Sequence, residues 1–219
     1  MIRAALSIAC ALALPVQGQA QDFRGLLPGM PASELAVLGE PFDFQSQQGT
    51  VTARYPLPYE RHMTVLYENG RIQSLGLGYG GIGTTLHPPA TQGLRVGVTT
   101  LREAVALAGS EGFTFDDPNG LRVIGDVPIG WFLYYELQDH PDLLLELSFQ
   151  DRSLATARAD SDTGPTPLPR DALLVSATLY HDEFTTRHPD VHGSTPMDRP
   201  GAVPFALPLS EAFPLTVLP

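Results

Sequence analysis

Two stretches of the chain carry one short motif, and this repetition decides the predicted fold. Residues 25–30 read GLLPGM and lead into a helix-compatible run, and residues 93–98 read GLRVGV and do the same. A motif repeated at this period indicates two copies of a unit too small to bury a core alone. At an offset of 68 positions the coinciding pairs are Gly25/Gly93, Leu26/Leu94, Gly29/Gly97, Ala36/Ala104 and Val37/Val105.

Each copy is expected to begin with a short helix and to continue as antiparallel strands. Gly39 ends the first helix-compatible run. Thr100 and Glu103 form a capping-box pattern at the start of the second, and Gly109 ends it. We therefore predict an α+β fold of two tandem helix-plus-antiparallel-sheet repeats, with the helices packed on one sheet face.

Residues 61–79 predict a β-hairpin. Two alternating apolar runs flank Asn69 and Gly70, which accept positive φ at both central positions of a type I′ turn. The turn then sets the register Glu68/Arg71, Tyr67/Ile72 and Thr64/Leu75.

Four other segments read as strands. Residues 50–55 alternate, but the prolines in 56–58 predict an edge strand or a loop. Residues 131–137 are apolar at both odd and even positions, which predicts a central strand. In residues 143–150 apolar and polar side chains alternate, which predicts one buried face. Residues 173–180 are the last predicted strand.

Met1–Ala20 reads as a secretory signal peptide. Arg3 precedes a short apolar stretch that Pro15 ends, and small residues follow near a cleavage site after Ala20. We expect a mature periplasmic or secreted protein from Gln21 with no transmembrane segment, since no later apolar run is long enough for a membrane helix. Two alternatives are a cytosolic protein with an apolar N-terminal helix and a lipoprotein modified at Cys10, although Cys10 has no Leu-rich box before it.

The predicted organisation has five parts. The last of them, a Pro-rich tail, has two interpretations: a disordered segment, or an extended strap lying on the body. The parts are 1–20 (signal peptide), 21–83 (first repeat), 84–92 (linker), 93–181 (second repeat) and 182–219 (Pro-rich C-terminal tail).

The chain has a formal net charge of −11, and this acidity limits the classes of partner that it is expected to bind. Binding to nucleic acid needs a basic surface, so the charge argues against it. A basic partner is compatible with it, but solubility explains it equally well.

The motif and its surroundings resemble a known repeat. The order Gly25-Leu26-x-x-Gly29-Met30-Pro31, a short helix, Leu38-Gly39-Glu40-Pro41 and a hairpin resembles the repeat of the β-lactamase inhibitor proteins and of BamE, the small lipoprotein of the outer-membrane barrel-assembly machine. Residues 93–109 resemble it again, without the closing Gly-x-Pro. The resemblance implies a non-catalytic protein that binds other proteins, often with the open face of its sheet. The shared motif is scaffold, so it assigns no binding residue.

Aromatic residues are the recognition candidates that the sequence offers. Trp131, Tyr134 and Tyr135 lie on one predicted strand, and Trp and Tyr dominate interface hot spots because they bury a large area at small entropic cost. Trp131 and Tyr135 share one face and Tyr134 lies on the other, so one set is expected in the core. Tyr67 and Tyr79 are weaker candidates, and all five have a purely structural alternative.

No cofactor or metal is expected. Residues 76–83 contain G-x-G-x-x-G matches, but Pro88 and Pro89 follow where a dinucleotide site needs a helix. The sequence shows no nucleophile elbow and, after signal removal, no cysteine. Residues 181–192 hold three histidines and two aspartates at a spacing that matches no metal site, which favours a solvated loop.

The sequence therefore favours an exported, non-catalytic module that binds another envelope protein or component. An alternative is a metal-dependent or cryptic envelope enzyme that uses the His181–His192 segment. A purely structural envelope protein is a third possibility, and the oligomeric state is not determined by the sequence.

Overall fold

The computed structural model describes residues 23–47, 49–57, 61–79, 93–124, 127–151, 153–154, 167–187, 196–198 and 202–213. In these residues the strands are β1 (Asp43–Gln47), β2 (Thr50–Leu57), β3 (Arg61–Glu68), β4 (Arg71–Tyr79), β5 (Phe113–Phe115), β6 (Leu121–Ile124), β7 (Val127–Glu136), β8 (Leu143–Gln150), β9 (Leu173–His181) and β10 (Pro196–Asp198). The helices are a 3₁₀ helix (Ala32–Leu38), α1 (Leu101–Ala108), α2 (Asp182–Arg187) and α3 (Leu209–Ala212).

One antiparallel sheet of ten strands contains all of these strands. Its order is β1-β2-β3-β4-β9-β8-β7-β5-β10, and β6 pairs with β7 beside this path. Most neighbours in the sheet are also neighbours in the chain. The central pair is not, because β4 lies against β9, a strand about a hundred residues further on.

The predicted α+β fold is wrong, because the sheet dominates the described residues. The helices there have only seven, eight, six and four residues. Gly39 and Gly109 end the first two after about two turns, so neither builds a helical layer. Loops and the C-terminal segment supply much of the cover over the sheet.

The two loops that carry the repeated motif make matching hydrogen bonds to β4 and β9. The Gly29 amide donates to the Ile72 carbonyl, and the Gly97 amide donates to the Leu174 carbonyl, each at 2.7 Å. The first residue of each following helix makes a similar bond to the residue just before the strand. The Ala32 amide donates to the Gly70 carbonyl and the Leu101 amide donates to the Ala172 carbonyl, each at 2.8 Å. The matched glycines Gly29 and Gly97 therefore have the same backbone role, whereas Ala32 and Leu101 lie 69 positions apart and are not matched in the repeat.

The β3–β4 hairpin forms as predicted near its turn and shifts further along. Asn69 and Gly70 have φ values of +51° and +74°, which a type I′ turn requires. A β-bulge at Leu66/Tyr67 then moves the register by one residue. The sequence had predicted that Thr64 faces Leu75. Because of the bulge, Thr64 faces Gly76.

Two strand predictions need correction. β2 is an interior strand, although it contains Pro56. Its pairs with β1 end at Arg54, so the missing Pro56 amide costs no bond to β1. β8 has two buried faces and not one, because side chains of a second cluster cover its Leu144 and Glu146 side.

The main core lies between one face of the sheet and the segments that cover it. The 3₁₀ helix contributes Leu35, α1 contributes Leu101, and the C-terminal segment contributes Phe205 and Phe213, each at most 5% exposed. The other described parts of the predicted tail form α2 and β10, whereas residues 202–213 lie as a strap on the body. Its Phe213 ring meets Phe23 edge to face, with the ring centroids 5.2 Å apart.

No helix within the described ranges combines the length and the apolar character that crossing a membrane requires.

Candidate functional site

Alternation along the strands separates two faces of the sheet. Leu75, Leu179, Leu145 and Tyr135 form one cross-strand row, and each is 0% exposed in the main core. The next row along the same strands points the other way, because successive side chains of a strand alternate. It runs through Thr64, Gly76, Thr178, Glu146 and Tyr134, and we call the face that carries it the open face.

A groove of about 180 Å³ crosses the open face over β2, β3, β4 and β9. Hydroxyl side chains line it from all four strands, and each can both donate and accept hydrogen bonds. Gly76 leaves the floor of the groove open at its centre, because no side chain rises there. The lining residues are Thr52, Thr64, Leu66, Ser74, Gly76, Thr178, Tyr180 and Phe184.

Two stacked aromatic rings form one wall of the groove. The Tyr180 and Phe184 rings are nearly parallel, at 8°, with centroids 6.2 Å apart. Phe184 reaches this position because α2 begins directly after β9. Arg187 anchors the helix, since its guanidinium donates to Glu68 Oε2 at 3.0 Å and to the Gln73 side-chain oxygen at 3.1 Å.

A buried carboxylate lies beside this wall. Glu146 on β8 is 4% exposed, and its Oε2 lies 3.7 Å from Arg122 Nη1. The Tyr180 hydroxyl donates to Glu146 Oε1 at 3.5 Å. The Arg122 guanidinium also lies over the Phe132 ring, 5.0 Å from its centroid. The charge of Glu146 is therefore balanced within the sheet face, where it orients the tyrosine of the groove wall.

Burial shifts the two tyrosines of this cluster further towards their neutral form. It raises the pKa of both Tyr134 and Tyr180 above the ordinary value, and the nearby Glu146 carboxylate raises each pKa further. Both phenols remain protonated at neutral pH, so Tyr180 can act as a hydrogen-bond donor.

His62 extends the open face next to the groove. Its imidazole lies so close to Gly78 that a Cβ added there would come within 2.5 Å of His62 Nε2. Burial, and secondly the charge of Arg54, lowers the pKa of His62. The imidazole is thus uncharged at neutral pH, and it occupies the space that a side chain at position 78 would fill.

The sequence-predicted aromatic candidates are mostly buried. Trp131 and Tyr135 lie on the core face, and the Tyr135 hydroxyl donates to the Ser110 carbonyl at 3.1 Å. Tyr134 lies on the open face at 1% exposure, with the rings of β5 against it. Tyr67 is half-buried against the main core, and Tyr79 pairs with Arg61 at the end of β4. A binding role for these five residues stays a prediction.

The residues of the groove were not singled out from the sequence. Thr64, Ser74, Gly76 and Thr178 are small residues that alternate with buried apolar ones, a period-two pattern visible in the chain. The pattern marks one non-core face in each strand. Only the bulge and the β4–β9 pairing bring these four positions together.

The sequence-based alternative of a metal site depends mainly on residues outside the described ranges. His181 ends β9 and Asp182 begins α2, but His188, Asp190 and His192 are not among the residues described. Within the described residues, no group of three or more His, Cys, Asp or Glu side chains is placed to hold a metal ion.

Comparisons with known proteins add little. No family model matches the chain, and no curated protein matches it. Among solved structures the chain is similar to a cysteine-rich secretory protein from Staphylococcus aureus, at 10% identity and a TM-score of 0.40. The similarity covers 84% of this chain and 56% of that one, so this chain spans little more than half of that protein's length. A likeness this weak says nothing about what the chain does.

Proposed function

We propose that this protein is a non-catalytic module of the cell envelope that holds another protein on the open face of its sheet. The groove between β2 and β9 is the observation that supports it. The opposite face is filled by the main core, whereas the groove offers hydroxyls beside one aromatic wall, to which α2 contributes Phe184.

The chemistry of the groove suits an extended segment of a partner. Side chains on paired strands are held by the sheet, so Thr52, Thr64 and Thr178 lose little freedom when they bind. Their hydroxyls can donate to carbonyl groups and accept from amide groups. The Tyr180–Phe184 wall can take an apolar side chain, as aromatic anchors do at protein interfaces.

We also propose that the protein acts outside the cytoplasm after removal of residues 1–20. The residue pattern of this segment supports the proposal. Mass spectrometry of the protein recovered from its natural compartment tests it. An N-terminus at Gln21 is expected, and an intact Met1 would contradict export by this route.

Capture of a partner from envelope extract tests the binding role. We expect the mature protein to retain a defined protein from solubilised envelope, and Thr52→Arg with Thr64→Arg to reduce capture about tenfold or more, because two long charged side chains would fill the groove. Ser33→Arg is the matched control, since Ser33 is exposed on the 3₁₀ helix, an element of the covered side.

All variants must first show cooperative thermal unfolding, so that loss of capture is not loss of fold. Equal capture by the groove variant and the Ser33 control would contradict binding at this face.

A further inference from the structure

β1 ends the sheet with an edge on which no other described strand lies. Among the described residues it pairs with β2 alone, so one row of its backbone amides and carbonyls faces away from the sheet. The other end of the sheet is closed differently, by the three-residue strand β10, which begins with Pro196. Short edge strands and proline are common ways of preventing edge pairing. β1 has five residues and no proline.

Two large apolar side chains are exposed at this edge. Phe42 is 61% exposed just before β1, and Phe44 is 57% exposed within it. Phe44 pairs with Ala53, which is 1% exposed in the main core, so Phe44 lies on the core face. It therefore continues the apolar surface of the core face to a position that the 3₁₀ helix and α1 do not cover.

We propose that β1 pairs with β1 of a second copy of this chain, antiparallel and about a two-fold axis at Gln45. In this register the five residues of each strand pair completely, and Phe44 lies opposite Ser46 of the second copy. The two Phe44 side chains then share one face as diagonal neighbours, a separation that aromatic side chains can bridge.

The charges at the edge fit self-pairing. Asp43 lies opposite Gln47 of the second copy, so the register places no two carboxylates against each other. Asp43 is also paired within its own chain, since its carboxylate lies 3.2 Å from the Arg54 guanidinium. A two-fold arrangement needs such a self-complementary patch. A strand from another protein would need a sequence that nothing in this chain specifies.

The size of the patch indicates a weak dimer. A phenylalanine side chain buries about 200 Å², so Phe42 and Phe44 together have about 240 Å² to cover in each copy. Added to the strand edge itself, this is at the low end of specific interfaces, about 1,200 Å² in total. Each chain carries a formal net charge of −11, so the pairing should strengthen when salt screens the repulsion.

Dimerisation goes beyond the proposed function, because it does not depend on what the groove binds. A two-fold axis through paired edge strands keeps equivalent faces on the same side. The two open faces would therefore lie side by side in one continuous sheet.

Sedimentation analysis of the full mature chain over a range of about 10 μM to 1 mM tests the pairing. We expect a concentration-dependent dimer that is favoured by added salt, and a monomer for Phe44→Asp. Ile124→Asp is the matched control, because Ile124 is 68% exposed in β6, towards the opposite end of the sheet. A monomer under all conditions, or an equal effect of both substitutions, would overturn the proposal.

Cysteine cross-linking tests the register. The mature chain has no cysteine, so Gln45→Cys introduces a single thiol. Directly opposed residues have Cα atoms about 4.5–5.5 Å apart, within the range of a disulfide. The two copies of Gln47 would lie about 14 Å apart, at about 3.4 Å per residue along the strands. We expect rapid oxidation to a dimer for Gln45→Cys only, and equal rates for Gln47→Cys would refute the register.

Discussion

Gly112 is the residue whose replacement by alanine should disturb the structure most. It has a φ of +59°, and an added Cβ would collide with the Tyr134 carbonyl and lie 2.8 Å from the Tyr135 ring. Because neither obstacle is a flexible chain end, we expect Gly112→Ala to lower the free energy of unfolding by about 3 kcal/mol or more. Urea unfolding followed by circular dichroism measures the loss.

Gly49 is the control for backbone strain alone. Its φ is +87°, and an added Cβ would meet no atom within 4 Å. Gly49→Ala should therefore cost only about 1 kcal/mol, the penalty for a left-handed conformation with a side chain. Equal losses for the two substitutions would mean that the collision at Gly112 is relieved by local movement.

Tyr134 should make the protein sensitive to alkaline pH. Burial raises the pKa of this phenol in the folded state, so its stabilising contribution is complete below about pH 10, the ordinary tyrosine value. The contribution is lost as the pH rises from that value towards the folded pKa, because the unfolded chain then releases a proton that the folded chain keeps. Tyr134→Phe removes this titration.

We expect the free energy of unfolding of the wild type to fall relative to that of Tyr134→Phe as the pH rises above about 10. Urea titrations at several pH values give the difference. Tyr134→Phe/Tyr180→Phe should flatten the profile further, because burial raises the pKa of Tyr180 also. Parallel profiles of wild type and both variants would count against this account.

At the scale of the element, α1 depends on its N-terminal cap. The Thr100 hydroxyl accepts from the Glu103 amide at 3.3 Å, and Glu103 Oε2 accepts from the Thr100 amide at 2.8 Å. Thr100→Ala removes one half of this capping box and should lower the free energy of unfolding by about 1 kcal/mol. Ser33→Ala, on the 3₁₀ helix, serves as an exposed control that should change little.

The effect of the cap should decrease in acid. The hydrogen bonds from the Thr100 amide and hydroxyl lower the pKa of Glu103, so its stabilising contribution is present above the unfolded carboxyl pKa. It is lost as the pH falls through the lower, folded value. The cost of Thr100→Ala should therefore be smaller near pH 3 than near pH 7, and a constant cost would contradict the role of the carboxylate.

Local elements were predictable from the sequence, whereas their assembly was not. The hairpin turn at Asn69 and Gly70 and the capping box at Thr100 are set by neighbouring residues, so their sequence patterns were sufficient. The bulge at Leu66 and the pairing of β4 with β9 depend on distant strands. Since the groove forms only through these two features, its Thr64 and Thr178 could be predicted to lie off the core but not to meet.

The α+β prediction failed for a related reason. Propensity and caps indicated helices at the correct positions, but they did not show that two turns cover only a small part of a sheet this wide. The cover comes also from loops and from the C-terminal segment with Phe205 and Phe213, which has no regular pattern to recognise.

At the scale of the whole molecule, the β4–β9 pairing should make the two halves depend on each other. Leu75 and Leu77 on β4 and Ala177 and Leu179 on β9 are at most 1% exposed. Separate expression of residues 21–92 and 93–219 would expose these side chains and leave two long unpaired edges. We expect neither half alone to show a cooperative thermal transition by circular dichroism.

Mixing the halves should restore the transition, because they also contact each other away from β4 and β9. The ring of Phe213, at the end of the strap, packs against that of Phe23 in the first half. A cooperative transition in either half by itself would show that the sheet consists of two independent folding units.

Trp131 is the single tryptophan, and it lies 7% exposed on β7, between Phe149 of β8 and Leu121 of β6. Its intrinsic fluorescence therefore reports on the side of the sheet that contains β6, β7 and β8, and it carries no information about β1. A fluorescence melt and a far-ultraviolet melt of the same sample would agree if the sheet comes apart in one step. A difference between the midpoint temperatures of the two melts would show that unfolding begins at the β1 end of the sheet.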